Sequence, residues 1–258
     1  ASDVYKRQGD IWGYNIEGLF TSYDEIANHA DQDYIKISDS KIWQPGDLKF
    51  ADLNGDGKID KGAQTLSDHG DLVIVGNEEE RYHYGFNLNV GWKGIGISAF
   101  FQGVGKRDWY PGQETGFFWG KYNRPYGYSL KMHENRWTEE NPNPNAYWPR
   151  LVGYSSENGG RPMGTPNNRY MQDASYLRLK ALTVDYSLPQ AWVSKLGLTG
   201  LKIYFTGENL FTFSNICENF DPEVIKGGDV DLKDRKGEEQ GYSYPMLKTY
   251  TVGLNVSF

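Results

Sequence analysis

Apolar and polar residues alternate strictly along several stretches of the chain, and the longest stretch runs from Tyr82 to Lys93. Large side chains occupy every second position: Tyr82, Tyr84, Phe86, Leu88, Val90 and Trp92. The positions between them hold His83, Gly85, Asn87, Asn89, Gly91 and Lys93. Because successive side chains of a β-strand point to opposite sides of the sheet, this period of two predicts a strand with one apolar and one polar face.

The same alternation returns in four other places. It resumes over residues 95–102 after Lys93-Gly94, a link that predicts a tight hairpin turn. It recurs over residues 176–187, 201–213 and 249–258, and the last ends on Phe258. Within 176–187, Leu177 and Leu179 have one parity, whereas Leu182 and Val184 have the other. This change of phase predicts a β-bulge near Ala181.

The lengths of the strands and of their connections predict part of the wall of a membrane-spanning β-barrel. With a further strand expected near residues 10–20, the chain has about six strands of roughly 10 to 14 residues, longer than the usual five or six. Residues 93–94 and 188–200 are short connections, whereas the residues after 20, 105 and 213 begin long ones. Short turns on one side and long loops on the other are typical of an all-β, antiparallel transmembrane β-barrel with long extracellular loops. Six strands make only a partial barrel, since closure needs about eight, and a soluble sandwich with one solvated face is the alternative.

Composition changes this interpretation in three ways. Aromatic residues make up 15% of the chain and glycine occurs 31 times, which favours strands and turns. The net charge of -7 disfavours a nucleic-acid partner, because phosphates call for a basic surface. Residues 1–8 contain no signal peptide and fit no later pattern, so we expect a non-native or unassigned leader there. Residues 9–258 are then the wall segment of a longer protein.

A series of short phrases, in a fixed order from Gly9 onward, resembles the SusC/RagA family of TonB-dependent outer-membrane transporters, in the C-terminal part of their barrel. The phrases are Gly18-Leu19-Phe20, Glu25-Ile26, Asp52 to Asp60, Gly76-Asn77, Tyr84-Gly85-Phe86, Phe100-Phe101-Gln102-Gly103, Arg136-Trp137-Thr138, Asn141-Pro142, Pro149-Arg150-Leu151, Ala174 to Lys180, Gly207-Glu208-Asn209-Leu210-Phe211, and Tyr244-Pro245 through to Phe258. The order of these phrases is more specific than any one of them.

The resemblance implies an importer in the outer membrane of a Gram-negative, Bacteroidetes-like cell. Such a transporter has a large barrel around an N-terminal plug, which this chain lacks, and it contacts the TonB complex through the missing part. The implied partners also include a SusD-like surface lipoprotein as a lid, the outer-membrane lipids, and the barrel-assembly machinery, which would recognise the terminal Phe258. The implied cargo is an oligosaccharide, with a peptide as the alternative.

Residues 52–60, Asp-Leu-Asn-Gly-Asp-Gly-Lys-Ile-Asp, match the first nine positions of a calcium-binding loop. Oxygen ligands would come from the side chains of Asp52, Asn54, Asp56 and Asp60 and from the backbone carbonyl of Lys58. Position 12 is Ala63 instead of the bidentate Glu, so another acid such as Asp68 would have to replace it. The sequence leaves two interpretations open, a structural Ca²⁺ or a Gly/Asp-rich turn without metal.

The loop from Asp108 to Tyr170 is rich in aromatic residues, and rings can stack on the apolar faces of sugars. The candidate substrate-binding residues are Trp109, Tyr110, Phe118, Trp119, Tyr122, Trp137 and Trp148. The alternative interpretation is that these rings pack the loop or meet the partner lid.

Sequence motifs give little support for catalysis. The four histidines are scattered, no G-x-S-x-G motif occurs, and the single thiol, Cys217, has no local signature. We therefore predict a non-enzymatic transport protein. The alternative from another class is a secreted, soluble β-rich glycan-binding module.

Overall fold

The structure is a computed structural model that describes residues 9–36, 42–113, 115–124, 126–153, 155–156, 162–225 and 243–258. The expected leader, residues 1–8, lies outside the described residues. The strands are β1 (Asp10–Tyr14), β2 (Ile16–Leu19), β3 (Leu48–Phe50), β4 (Leu72–Asn77), β5 (Tyr82–Trp92), β6 (Ile95–Gly105), β7 (Asp108–Trp109), β8 (Gln172–Asp173), β9 (Tyr176–Ser187), β10 (Gly200–Ser214) and β11 (Thr249–Ser257).

Helices are few and short. They are α1 (Tyr23–Ala27), α2 (Gly116–Trp119) and α3 (Gln190–Val193), with 3₁₀ turns at Asp33–Ile35, Gly120–Tyr122, Lys131–Glu134 and Ser194–Leu196. Among the residues that the structure describes, no helix is long and apolar enough to cross a membrane.

Five long strands form one antiparallel sheet in the order β11-β10-β9-β6-β5. These are the strands that the alternation predicts, so the all-β antiparallel fold is confirmed. β5 and β6 are joined by Lys93 and Gly94, with φ values of 48° and 86°. Two positive φ values in a two-residue link are the signature of a type I′ turn, whose twist matches that of the strands.

A bulge keeps the apolar residues of β9 on one face. The register of β6 and β9 slips between Phe100 and Phe101, which pair with Ala181 and Leu179. The bulge predicted near Ala181 is therefore confirmed. Because a slip of one residue moves a side chain to the other face, it restores Leu179 to the face of Leu182. Both leucines pack in a small cluster with Ala99, Phe101 and Leu210.

The strand expected near residues 10–20 differs from the prediction, because it does not join the long sheet. It divides into β1, which pairs with β4, and β2, which pairs with β3. Loop residues hold the division in place: Tyr14 N donates to Pro166 O at 2.9 Å, and Ile16 N donates to Asn168 Oδ1 at 2.8 Å. These contacts saturate backbone groups that a long wall strand would have given to its neighbours.

The described residues of the long connections fold together into a cap, which we define as the described residues within 9–77, 106–175 and 215–225. One cluster of buried side chains runs through all three parts and is dominated by aromatic rings. At its centre, Trp148 stacks on Tyr122 at 5.3 Å between ring centroids and on Tyr170 at 5.2 Å. The loops therefore have a hydrophobic core of their own.

Charged side chains attach the third part of the cap to the long sheet. Arg178 of β9 is only 2% exposed, and its two terminal nitrogens lie 2.5 Å from Asp221 Oδ1 and 2.5 Å from Glu223 Oε2. Lys180 Nζ reaches the other oxygen of Glu223 at 2.7 Å. Arg107 donates to the carbonyl oxygens of Pro222 and Ile225. Arg178 and Lys180 thus hold residues 215–225 against β9, and Arg107 links the same segment to the second part of the cap.

A buried histidine fixes another part of the cap. His133 lies between the backbone oxygen of Phe118, 2.7 Å from Nε2, and the backbone nitrogen of Leu130, which donates to Nδ1 at 2.9 Å. A carbonyl oxygen can only accept, so Nε2 carries the proton and the ring is neutral. Burial lowers the pKa of His133, which keeps it neutral.

Replacing Arg178 by Met should strongly destabilise the protein, because Asp221 and Glu223 would stay largely buried without their main counter-charge. We expect a loss of about 3–5 kcal/mol in the free energy of unfolding, measured by denaturant titration. The matched control is Lys202→Met, since Lys202 pairs with Asp185 at 3.1 Å but is 46% exposed, and it should change stability by less than about 1 kcal/mol. Equal losses in the two variants would contradict a special role for Arg178.

His133 should make stability fall as the pH falls. Below about 6.5, the unfolded chain takes up a proton at this position. The folded protein does not do so until the pH reaches the lowered pKa, so the free energy of unfolding decreases across this window. Denaturant titrations between pH 7 and pH 5 should show a smaller slope for His133→Gln, which stays neutral. Identical slopes for the two proteins would refute this role of His133.

Candidate functional site

The long sheet has one face covered by large apolar side chains that are open to the surroundings, and we call it the apolar face. Its exposed members include Tyr82, Tyr84, Phe86, Leu88, Val90, Trp92, Ile95, Ile97, Val184, Tyr186, Ile203, Phe205, Tyr250, Val252, Leu254 and Val256. Val252 is 74% exposed and Trp92 is 66% exposed. A contiguous exposed surface of this kind marks contact with a membrane or with another protein.

Rings pack against each other and over glycines to make this face continuous. Phe86 and Phe101 stack across the β5–β6 pair with centroids 4.7 Å apart. Tyr84 lies over Gly103, where an added Cβ would come within 2.6 Å of the ring, and its hydroxyl donates to Tyr176 O at 2.9 Å. A glycine opposite an aromatic residue is therefore required by close packing here.

The opposite face of the sheet carries small and polar side chains. The hydroxyls of Thr183 and Thr206 lie 2.9 Å apart across the β9–β10 pair. Asp185 lies over Gly96, where an added Cβ would come within 2.5 Å of the carboxylate. This polar face suits contact with water.

Both edges of the long sheet lack a partner strand among the described residues. β5 pairs only with β6, and β11 pairs only with β10. The unpaired backbone groups of an edge strand are ready to bond another strand. Phe258, the predicted assembly signal, follows β11 at one edge and is 91% exposed, while Thr199 donates to its backbone oxygen at 3.1 Å.

The predicted calcium loop has the backbone shape expected of its sequence. The carboxylate of Asp52 accepts from Gly55 N at 2.7 Å and from Gly57 N at 2.9 Å. Asn54 Oδ1 accepts from Asp56 N at 2.9 Å, and Asp56 Oδ1 accepts from Lys58 N at 2.8 Å. Backbone donors therefore use several of the oxygens that the sequence assigns to a cation.

The loop is closed by Asp71, a residue that the sequence reasoning missed. Asp71 is fully buried, and its two oxygens accept from Leu53 N at 2.8 Å and from Asp60 N at 2.9 Å. Asp68, the substitute considered above, instead accepts from Ala63 N at 3.2 Å within its own turn. Within the described ranges, no three His, Cys, Asp or Glu side chains come together in a way that could hold a metal ion.

The seven candidate substrate-binding aromatics, Trp109, Tyr110, Phe118, Trp119, Tyr122, Trp137 and Trp148, are all buried. Their rings contact one another or other cap residues: Trp109 lies 4.9 Å from Phe220, and Phe118 lies 4.7 Å from Trp119. A ring face covered by another ring cannot stack on a ligand. Of the two interpretations above, the structure thus assigns these seven side chains to packing.

The side chains that could have suggested catalysis also take part in packing. His29 meets the ring of Phe20 with centroids 5.2 Å apart, and His133 holds two backbone groups as described above. Burial raises the pKa of the Cys217 thiol to about 12, so the thiol stays protonated at neutral pH.

Comparison with known proteins gives a consistent picture. No family model matches the chain. The TonB-dependent receptor P26 of Formosa agariphila is 32% identical over 247 residues, which cover 93% of this chain and 22% of that receptor. Receptor P3 of the same organism is 28% identical over 252 residues, which cover 97% of this chain and 22% of the receptor. The chain therefore spans about a fifth of the length of these relatives.

Solved structures agree on the fold. The RagAB peptide transporter matches 96% of this chain, over 23% of its own chain, with a TM-score of 0.61 and 22% identity. The RagAB peptide importer in its open-open state matches the same share of this chain, over 22% of its own, with a TM-score of 0.55 and 19% identity. The resemblance found in the sequence is confirmed: the chain is a homologue of one segment of the TonB-dependent receptors.

Proposed function

We propose that this chain is one part of the wall of an outer-membrane active transporter that imports oligosaccharides. The observation that carries the proposal is the apolar face, because sixteen large side chains in a row of five strands need a hydrocarbon environment. The strand lengths also fit a membrane. The 11 residues of β5 extend about 37 Å at about 3.4 Å per residue. At a tilt of about 40° they span about 28 Å, close to the apolar band of such barrels.

The open edges support a barrel completed by strands from outside this chain. In a membrane, every backbone group must find a partner within the protein, so β5 and β11 need neighbours. Under this proposal, the missing strands and the plug belong to the rest of the transporter. The barrel-assembly machinery would recognise Phe258 at the end of β11.

The remaining parts of the proposal rest on the resemblance to the SusC/RagA family. TonB would energise the import cycle through the part of the transporter that precedes this segment, and a SusD-like lipoprotein would cover the cap. The solved relative is a peptide transporter, so a peptide is the second candidate cargo. The exposed cap rings of Phe117, Tyr126 and Tyr128 favour an oligosaccharide, since sugars present apolar faces to aromatic side chains.

A charge on the apolar face should prevent assembly of the barrel. Leu88→Asp places a carboxylate on this face near the middle of β5, where lipid disfavours a charge, though by less than the ~2–4 kcal/mol that Arg or Lys costs at the bilayer midplane. We expect the variant to lose the heat-shifted band that intact barrels give in the outer-membrane fraction, and with it the uptake of labelled oligosaccharide. Asn89→Asp is the matched control, because its side chain lies on the polar face, and it should keep both properties.

Two outcomes would decide against the proposal. A soluble protein without any heat shift would favour the secreted glycan-binding module instead. A normal heat shift with uptake that persists after loss of TonB would keep the barrel but exclude active import.

We also propose that residues 52–60 bind a structural Ca²⁺. The sequence supplies the donors Asp52, Asn54, Asp56 and Asp60 and the carbonyl of Lys58, and the loop already has the folded backbone that this motif needs. When bound, the ion would neutralise the carboxylates and stiffen this corner of the cap. Some carboxylate oxygens would have to turn from backbone donors toward the ion.

Calorimetry with added Ca²⁺ tests this proposal directly. We expect a binding heat and a higher unfolding temperature in Ca²⁺ than in EDTA, both lost in Asp52→Asn/Asp56→Asn. Asp24→Asn, an exposed cap carboxylate away from the loop, should keep both. If the unaltered protein gives neither a heat nor a shift in unfolding temperature, residues 52–60 are a turn without metal.

A further inference from the structure

Three aromatic side chains of the cap are exposed, although the loop that contains them has a buried aromatic core. Phe117 is 41% exposed, Tyr128 is 54% exposed and Tyr126 is 75% exposed. The rings of Phe117 and Tyr128 lie 6.0 Å apart with 58° between their planes. These three side chains, which we call the aromatic platform, therefore keep ring surface available to a ligand.

The platform stands on a rigid base. A Cβ on Gly127 would lie 2.7 Å from Gly120 O, and a Cβ on Gly120 would lie 2.6 Å from Tyr128 O. The two turns that carry the rings are thus in direct backbone contact. Beneath Phe117, the next residue, Phe118, is fully buried in the aromatic core. Ligand binding here should cost little conformational entropy of the protein, because the two turns that carry the rings are already packed against each other.

Polar groups lie beside the rings. Arg124 Nη1 donates to the hydroxyl of Tyr126 at 2.9 Å, which orients the phenol and leaves its own proton to be donated. Lys121 is exposed on the adjoining turn. A ligand matched to this surface needs an apolar face for the rings and hydroxyl groups for the phenol and the cations. A pyranose ring has both on one small body.

Size and charge narrow the ligand further. A stable protein partner covers about 800 Å² on each side, so three rings cannot form a protein interface on their own. The net charge of -7 works against a polyanion. We infer that Phe117, Tyr126 and Tyr128 form a stacking platform for the sugar rings of a neutral oligosaccharide. The inference rests on the proposed function and names the residues of the cap that contact the cargo.

The test uses the intact receptor purified from outer membranes, with maltohexaose, cellohexaose, xylohexaose and laminarihexaose as probes in calorimetry. We expect at least one probe to bind, and Tyr126→Ala/Tyr128→Ala to weaken that binding at least tenfold. Tyr23→Ala is the matched control, because Tyr23 is a similarly exposed cap tyrosine outside the platform, and it should change affinity less than twofold. Tyr126→Phe keeps the ring and should retain most of the affinity. A heat-shifted band from the double variant shows that its loss of affinity is not a folding defect.

Three results would overturn the inference. They are unchanged affinity in the double variant, no binding of any probe to a receptor that still gives a heat-shifted band, and tight binding of a hexapeptide that depends on the same tyrosines. The last two leave the outer-membrane transporter intact and reject only the platform or its sugar. If the unaltered receptor gives no heat-shifted band at all, the proposed function itself is rejected.

Discussion

The pairing of β6 with β9 is the interaction on which the rest of the molecule depends. These strands are neighbours in the sheet but are separated by residues 106–175 in the chain. Val104 pairs with Tyr176, so this long segment must leave the sheet and return to it at the same place. Its ends are fixed by main-chain hydrogen bonds, and its interior has to find a compact arrangement between them. The aromatic core of the cap meets that constraint, because rings bury much apolar surface with few residues.

A second constraint is that every long strand must keep one face apolar. The bulge near Ala181 shows how the chain meets it, since the slip returns Leu179 to the side of Leu182. β10 has a comparable irregularity between Glu208 and Phe211, where Asn209 has a φ of 52°. Both deviations lie toward the cap end of the sheet, where the strands also have to meet the cap. The register irregularities there let the strands keep their apolar residues on one face and still pack against the cap.

Sequence reasoning predicted the parts of the fold that local patterns determine. Alternation specifies which residues share a face, so the five wall strands, the Lys93-Gly94 turn and the bulge could be predicted. Residues 10–20 also look like a strand locally, but their partners are Pro166 and Asn168, which lie more than 140 residues away. Asp71 was missed for the same reason, because nothing near it in the sequence shows that its carboxylate closes the loop at Asp60.

Composition also gives the number of aromatic rings but not their exposure. Trp148 was among the predicted substrate contacts and Tyr126 was not, yet Trp148 is fully buried and Tyr126 is mostly exposed. Asp221 and Glu223 stand in a polar loop and would be expected to face water. The structure shows them paired with Arg178 of β9. The face of the sheet on which Arg178 lies depends on the bulge in β9, so the sequence pattern alone did not place its charge.

The cap and the wall are joined in two independent ways, and this limits how the molecule can move. Main-chain pairing of β6 and β9 closes residues 106–175, while Arg178 of β9 holds residues 215–225 against the sheet. A movement of the cap away from the sheet would separate buried charges from each other, which is costly in a poorly solvated site. The cap should therefore move together with the wall. Rearrangement during a transport cycle is then expected first in elements that these contacts do not hold.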